Sequence, residues 1–126
     1  MNVRDVTRAL SRWLPVVLVA AVIFLLSSVP SRDLPTLGSW DTLAKKGAHA
    51  LGYALLAAAV WRGLGWKRRL WWLALVLAAA YAATDEIHQR LTPGRHSSAV
   101  DVGIDSLGAS IAIAICWLVR RKKERR

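Results

Sequence analysis

Four apolar runs, Trp13–Val29, Ala48–Trp61, Leu70–Ala83 and Gly103–Val119, fill most of a 126-residue chain, with only short charged or turn-rich stretches between them. Apolar runs of roughly 10 to 14 residues also occur in soluble cores. Four of them in so short a chain leave too little polar surface to cover one. Six of the seven tryptophans, Trp13, Trp61, Trp66, Trp71, Trp72 and Trp117, fall at run ends, where an aromatic belt meets the water interface. The reading is an all-α integral membrane protein, one domain over 1–126, with four transmembrane helices at about 13–29, 43–61, 70–89 and 100–119.

The second and third runs fall short of the ~17 to 25 residues that a span needs. They reach that length only by taking in Lys45, Lys46 and His49 on one side and Asp85, Glu86 and His88 on the other. Ionisable groups near bilayer depth cost a few kcal/mol each and normally face a partner or a wet cavity. The stretch 84–108 holds four of the eight acidic residues of a chain with net charge +10. Asp85, Glu86, Asp101 and Asp105 are therefore the leading candidates for a site.

The basic excess is chiefly a topology signal. Arg4, Arg8 and Arg12, then Arg62, Lys67, Arg68 and Arg69, then Arg120, Arg121, Lys122, Lys123, Arg125 and Arg126 lie in the first, third and fifth polar segments. Arg32, Lys45, Lys46, Arg90 and Arg95 lie in the others. The positive-inside rule then puts both termini in the cytoplasm. No basic and aromatic platform for a single strand accompanies the charge, so nucleic acid is not expected as a partner. The tail is suited to anionic lipid at the inner leaflet.

Arg4, Arg8 and Arg12 before an apolar run imitate a signal peptide, but Leu26-Ser27-Ser28 lacks the small residue that cleavage wants; Val29-Pro30-Ser31 is the better candidate. The single Cys116 has no intrachain partner and reads as a packing residue. Pro30, Pro35 and Gly38 punctuate the first connection, Gly63 and Gly65 the second, and Pro93 and Gly94 the third. Pro15 fits a first helical turn and would interrupt the bonding of a helix that begins much earlier.

Helical spacing gathers the polar groups. Lys45, His49 and Tyr53 recur every fourth residue, as do Tyr81, Asp85 and Gln89; Asp101 and Asp105 lie one turn apart. All three stripes end on one side of the membrane. Small residues at Ala44, Ala48 and Gly52, and at Gly108 and Ala112, allow close helix approach in lipid. Arg95, after Pro93 and Gly94, is placed to reach over the resulting pocket.

KKGAHALGYALLA with Lys45, His49 and Tyr53, the DExxQ of Asp85, Glu86 and Gln89, Pro93-Gly94-Arg95 with the following serines, and the segment from Asp101 to Gly108 together resemble the VanZ-like family. FLLSSVP, from Phe24 to Pro30, is similar to the ending that family shows in its first helix. Asp105 departs from the family's common Asn. The resemblance implies a small polytopic protein of the bacterial cytoplasmic membrane, in a family whose namesake is associated with teicoplanin resistance. It implies a role near lipid-linked wall precursors and assigns no reaction.

Three readings remain open. In the first, an outward-facing pocket binds envelope lipid, lipid-linked precursor or glycopeptide: Lys45, Arg95 and His49 supply charge-assisted bonds, oriented by Asp85, Glu86, Gln89, Asp101 and Asp105 with Tyr53. In the second, a membrane enzyme uses Glu86 or Asp85 as base with His49 on a lipid-linked phosphate or acyl substrate, while Arg95 and Lys45 stabilise developing charge. In the third, the polar groups only lock the bundle, with Lys45 on Asp85 or Asp101 and Arg95 on Glu86. No cofactor is expected, and no metal, since the spacing of His49, His88, Asp85, Glu86 and Asp101 matches no standard motif. Ser97 and Ser98 read as caps of the fourth helix rather than as nucleophiles. His88, a turn angle away from the stripe of Asp85 and Gln89, reads as a bystander. His96, Asp33 and Asp41 read as solvated.

Overall fold

The computed structural model describes residues 2–125, so Arg126 of the basic tail lies outside the described residues. The described chain is all-helical: α1 (Val3–Ser27), α2 (Asp41–Gly63), α3 (Trp71–Arg90) and α4 (Ala99–Glu124), with single 3-10 turns at Ser31–Asp33, Gly38–Trp40 and Arg68–Leu70. Three segments, Val3–Ser27, Arg68–Arg90 and Ala99–Glu124, are long and apolar enough to cross a membrane. α2 matches them in length at 23 residues, about 35 Å, but Asp41, Lys45, Lys46 and His49 dilute its first two turns.

Consecutive helices run in opposite directions. Ser27 at the end of α1 meets Asp85 near the end of α3, Lys46 near the start of α2 meets Asp101 at the start of α4, and Arg68 before α3 meets Glu124 at the end of α4. α2 packs most extensively on α4 and also touches α1 and α3, while α3 packs on α4. The bundle thus has a basic end, with both termini and the α2–α3 connection, and an opposite end that holds the polar stripes.

The packing is inside out relative to a soluble bundle. Val17, Leu18, Leu25, Leu51, Leu55, Leu107, Ile111 and Ile115 face outward, while the buried set includes Ala57, Ala74, Ala78, Ala82 and Ala109. In lipid an exposed Leu loses nothing by staying outside, so small residues take the interfaces and let backbones approach. Gly108 is the tightest case, because a Cβ there would strike the carbonyl of Ala50 and lie 2.9 Å from its carbon.

α1 begins at Val3, so Pro15 sits inside the helix. Proline has no N–H for the carbonyl four residues earlier, which is that of Ser11. The Arg62 guanidinium supplies the missing donor, with Nη1 at 2.9 Å from the Ser11 oxygen and 3.1 Å from that of Arg12. The ring of Trp13 packs where Gly63 leaves room; a Cβ at Gly63 would lie 3.1 Å from it.

α2 ends in a Schellman turn. The Trp66 N–H reaches the Trp61 oxygen, the Gly65 N–H reaches that of Arg62, both at 2.9 Å, and Gly65 takes φ +71°. The apolar contact that accompanies such turns is Trp61 against Trp66, with ring centroids 5.3 Å apart. Trp61 also stacks on Trp117, Arg68 lies over Trp117 at 4.6 Å, and Arg120 lies over Trp66 at 4.8 Å. Each cation–π contact contributes about 0.5–2 kcal/mol, so these contacts hold α2 and the α2–α3 connection to α4 at the basic end.

Gly108→Ala should therefore lower the detergent-solubilised melting stability by ~1–3 kcal/mol, as overpacking does. Gly47→Ala, where nothing lies within 4 Å of the added Cβ, should be neutral or stabilising by up to about 1 kcal/mol. Equal melting of the two variants by circular dichroism would contradict the close α2–α4 approach.

Candidate functional site

The polar stripes converge at the end opposite the termini in two tiers. The lower tier is a knot around Asp85, which is 5% exposed. Its Oδ2 accepts from Ser27 Oγ of α1 at 2.9 Å, from Tyr53 OH of α2 at 3.1 Å and from Gln89 Nε2 of its own helix at 3.1 Å. Gln89 Nε2 also lies 3.4 Å from Ser27 Oγ. Ser27 is fully buried, and Thr92 donates to its carbonyl at 3.3 Å. Asp85 Oδ1 has no partner, and Asp85 is not on the cavity wall.

The upper tier is a cavity of about 270 Å³ whose wall includes Asp41, Lys45, Lys46, His49, Glu86, Gln89, Arg95, His96, Asp101 and Asp105. Lys45 Nζ pairs with Asp41 Oδ2 at 2.6 Å and Lys46 Nζ with Asp101 Oδ1 at 2.9 Å. His49 Nδ1 stands 3.9 Å from Asp105 Oδ2, beyond hydrogen-bond reach. Glu86 is 5% exposed, and its Oε1 has no partner. Among the described residues no group of three His, Cys, Asp or Glu side chains could hold a metal ion.

Arg95 is set by the turn before it. Arg95 N–H bonds the Thr92 carbonyl at 3.2 Å across Pro93 and Gly94, with Gly94 at φ +72°, the pattern of a type II turn. Its side chain then caps α1: Nε bonds the Val29 oxygen at 3.1 Å and Nη2 that of Leu26 at 2.7 Å. A cation at a helix C-terminus complements the carbonyl dipoles there. Arg95 thus bonds carbonyls in the last turn of α1 and just past it instead of Glu86, and Lys45 takes Asp41 instead of Asp85 or Asp101.

Beside the cavity an apolar groove of about 540 Å³ runs between α1 and α2, lined by Leu18, Val22, Ile23, Leu26, Ala48, Leu51, Leu55 and their neighbours. Leu34 and the basic side chains of Lys45, His49 and Arg95 line both spaces. The polar cavity and the lipid-side groove therefore meet at three basic side chains.

Lys45, His49, Glu86, Gln89, Arg95, Asp101 and Asp105 come together on the cavity wall, while Asp85 lies in the knot and Tyr53 lines the groove. Sequence spacing gave Lys46 and Ser27 no partner, and Asp41, expected to be solvated, instead pairs with Lys45 on the cavity wall. Asp41 opens α2 and so falls one turn before Lys45; the serine in FLLSSVP was the available signal for Ser27. His88 lines neither space; its Nε2 lies 2.9 Å from Ser28 Oγ and its ring stacks on Phe24 at 4.6 Å. Ser98 caps α4, accepting from the Asp101 N–H at 3.3 Å and donating to Asp101 Oδ2 at 3.0 Å. Ser97 accepts from Arg90 Nε at 3.0 Å.

A family model described as VanZ/LLP1 matches residues 12–120. No curated protein and no solved structure matches the chain.

Removing the shared acceptor strands three donors. Asp85→Ala is expected to cost ~3 kcal/mol or more in a detergent melt, and Tyr53→Phe about 1 kcal/mol. An Asp85→Ala protein that melts like the wild type would show that the knot contributes nothing to stability.

Proposed function

The chain belongs to the VanZ/LLP1 family, and from that premise we propose that this membrane protein binds one cell-envelope amphiphile, with the headgroup in the polar cavity and the hydrocarbon chain in the α1–α2 groove. The observation that carries the reading is the shared lining of the two spaces by Lys45, His49 and Arg95. A lipid has this division into a polar end and an apolar end, and the three side chains stand at the level of the junction. Binding sequesters the headgroup and changes its access to other envelope components. If the amphiphile is a lipid-linked wall precursor, such masking is the route to reduced sensitivity to glycopeptides of the teicoplanin type.

The proposed setting is the bacterial cytoplasmic membrane, with both termini inside and the cavity at the outer face. The basic segments support it, because they collect at one end of the bundle and the positive-inside rule puts that end in the cytoplasm. In a Cys116→Ser background, Ser39→Cys should react with a membrane-impermeant maleimide on intact spheroplasts. Lys123→Cys should react only after permeabilisation, and the reverse pattern would invert the proposal.

Native mass spectrometry of the detergent-extracted wild type beside Glu86→Gln tests the binding. The expected result is a phospholipid or polyprenyl phosphate retained by the wild type and lost from the variant. An empty wild type, with a variant that melts lower, would assign the polar residues to structure alone.

A further inference from the structure

The charges along the two joined spaces come in a definite order. The charged or chargeable nitrogen groups on the groove are Lys45, His49 and Arg95, and no carboxylate lines it. Arg95 has committed Nε and Nη2 to the Val29 and Leu26 carbonyls, yet a guanidinium carries five N–H donors, so others remain for a ligand. Lys45 has two further ammonium hydrogens beyond the one on Asp41.

Past that level the wall changes sign. Lys46 and Asp101 neutralise each other, as do Lys45 and Asp41. Glu86 has no bonded cation and Asp105 has only the His49 ring at 3.9 Å, at 5% and 3% exposure, and Glu86 Oε1 accepts from nothing in the protein. A buried carboxylate oxygen without a donor costs free energy comparable to a lost charged hydrogen bond. The cheapest ligand that supplies the donor and the charge together is an ammonium group.

We propose that the bound amphiphile is an aminophospholipid: its chain lies along α1 and α2, its phosphodiester meets Lys45 and Arg95, and its terminal primary ammonium enters the cavity to bond Glu86 and Asp105. This rests on the lipid-binding reading above and adds the headgroup. A head with phosphate and hydroxyls alone would leave the acidic wall without a counter-charge. A trimethylammonium head would bring the charge without an N–H donor.

The test uses the full chain, purified in detergent and mixed with equal amounts of phosphatidylethanolamine, phosphatidylcholine and phosphatidylglycerol of identical acyl chains, with adducts counted by native mass spectrometry. The ethanolamine lipid should exceed the glycerol lipid by about tenfold, in line with one charge-assisted hydrogen bond, with choline between them. Glu86→Gln should bring the ethanolamine and glycerol lipids toward parity. Asp105→Asn serves the same purpose should the first variant fail to fold, as checked by circular dichroism. Ala48→Phe, at an exposed groove position, should remove all three adducts. Equal or greater retention of the glycerol lipid, or an ethanolamine preference untouched in a folded Glu86→Gln or Asp105→Asn protein, overturns the headgroup assignment; loss of the adducts in Ala48→Phe then still supports lipid binding. Retention of no lipid at all overturns both.

Discussion

A carboxylate removed from water has to find its donors inside the protein, and Asp85 finds them on three helices. Ser27, Tyr53 and Gln89 all donate to one of its oxygens. Through that atom α1 is held to α2 and α3 at the end where the groove would otherwise separate them. The surrounding contacts depend on the same register. Thr92 and Arg95 reach carbonyls at the end of α1, and His88 reaches Ser28. Each such bond is modest in a membrane, about 0.6 kcal/mol on average, but together they fix where α1 stops and how the α3–α4 turn sits on it.

The two ends of the bundle solve the same problem differently. At the basic end, rings and guanidinium groups stack, so cations are satisfied by aromatic faces and by the Ser11 carbonyl freed at Pro15. At the other end, lysines pair with aspartates one by one, and Glu86 keeps an oxygen without a donor. Burial of such an atom persists only where the rest of the fold holds it. The asymmetry gives the molecule one end whose cations are satisfied and one where a buried carboxylate oxygen has no donor.

The helices, their number and the polar stripes are readable in the sequence, because hydropathy and a repeat of four depend only on local chain geometry. Partner choice is not. Lys45 and Lys46 are adjacent in sequence and differ by about 100° around α2, so one turns to its own helix and the other across to α4. No spacing rule says which. Arg95 was legible as a residue near the pocket, but the type II turn at Pro93–Gly94 aims it at the end of α1.

Sequence alone determined the class of solvent, the four apolar segments and the set of ionisable residues that any such fold must accommodate, since these follow from what lipid excludes. It also carried the family through the ordered motifs from Lys45 to Gly108. Only the tertiary structure decided that Asp85 is a structural acceptor while its neighbour Glu86 lines a cavity. A step of one residue along α3 rotates the side chain from the α1–α2 interface toward the start of α4, and the packing of those helices is a non-local fact that periodicity does not contain.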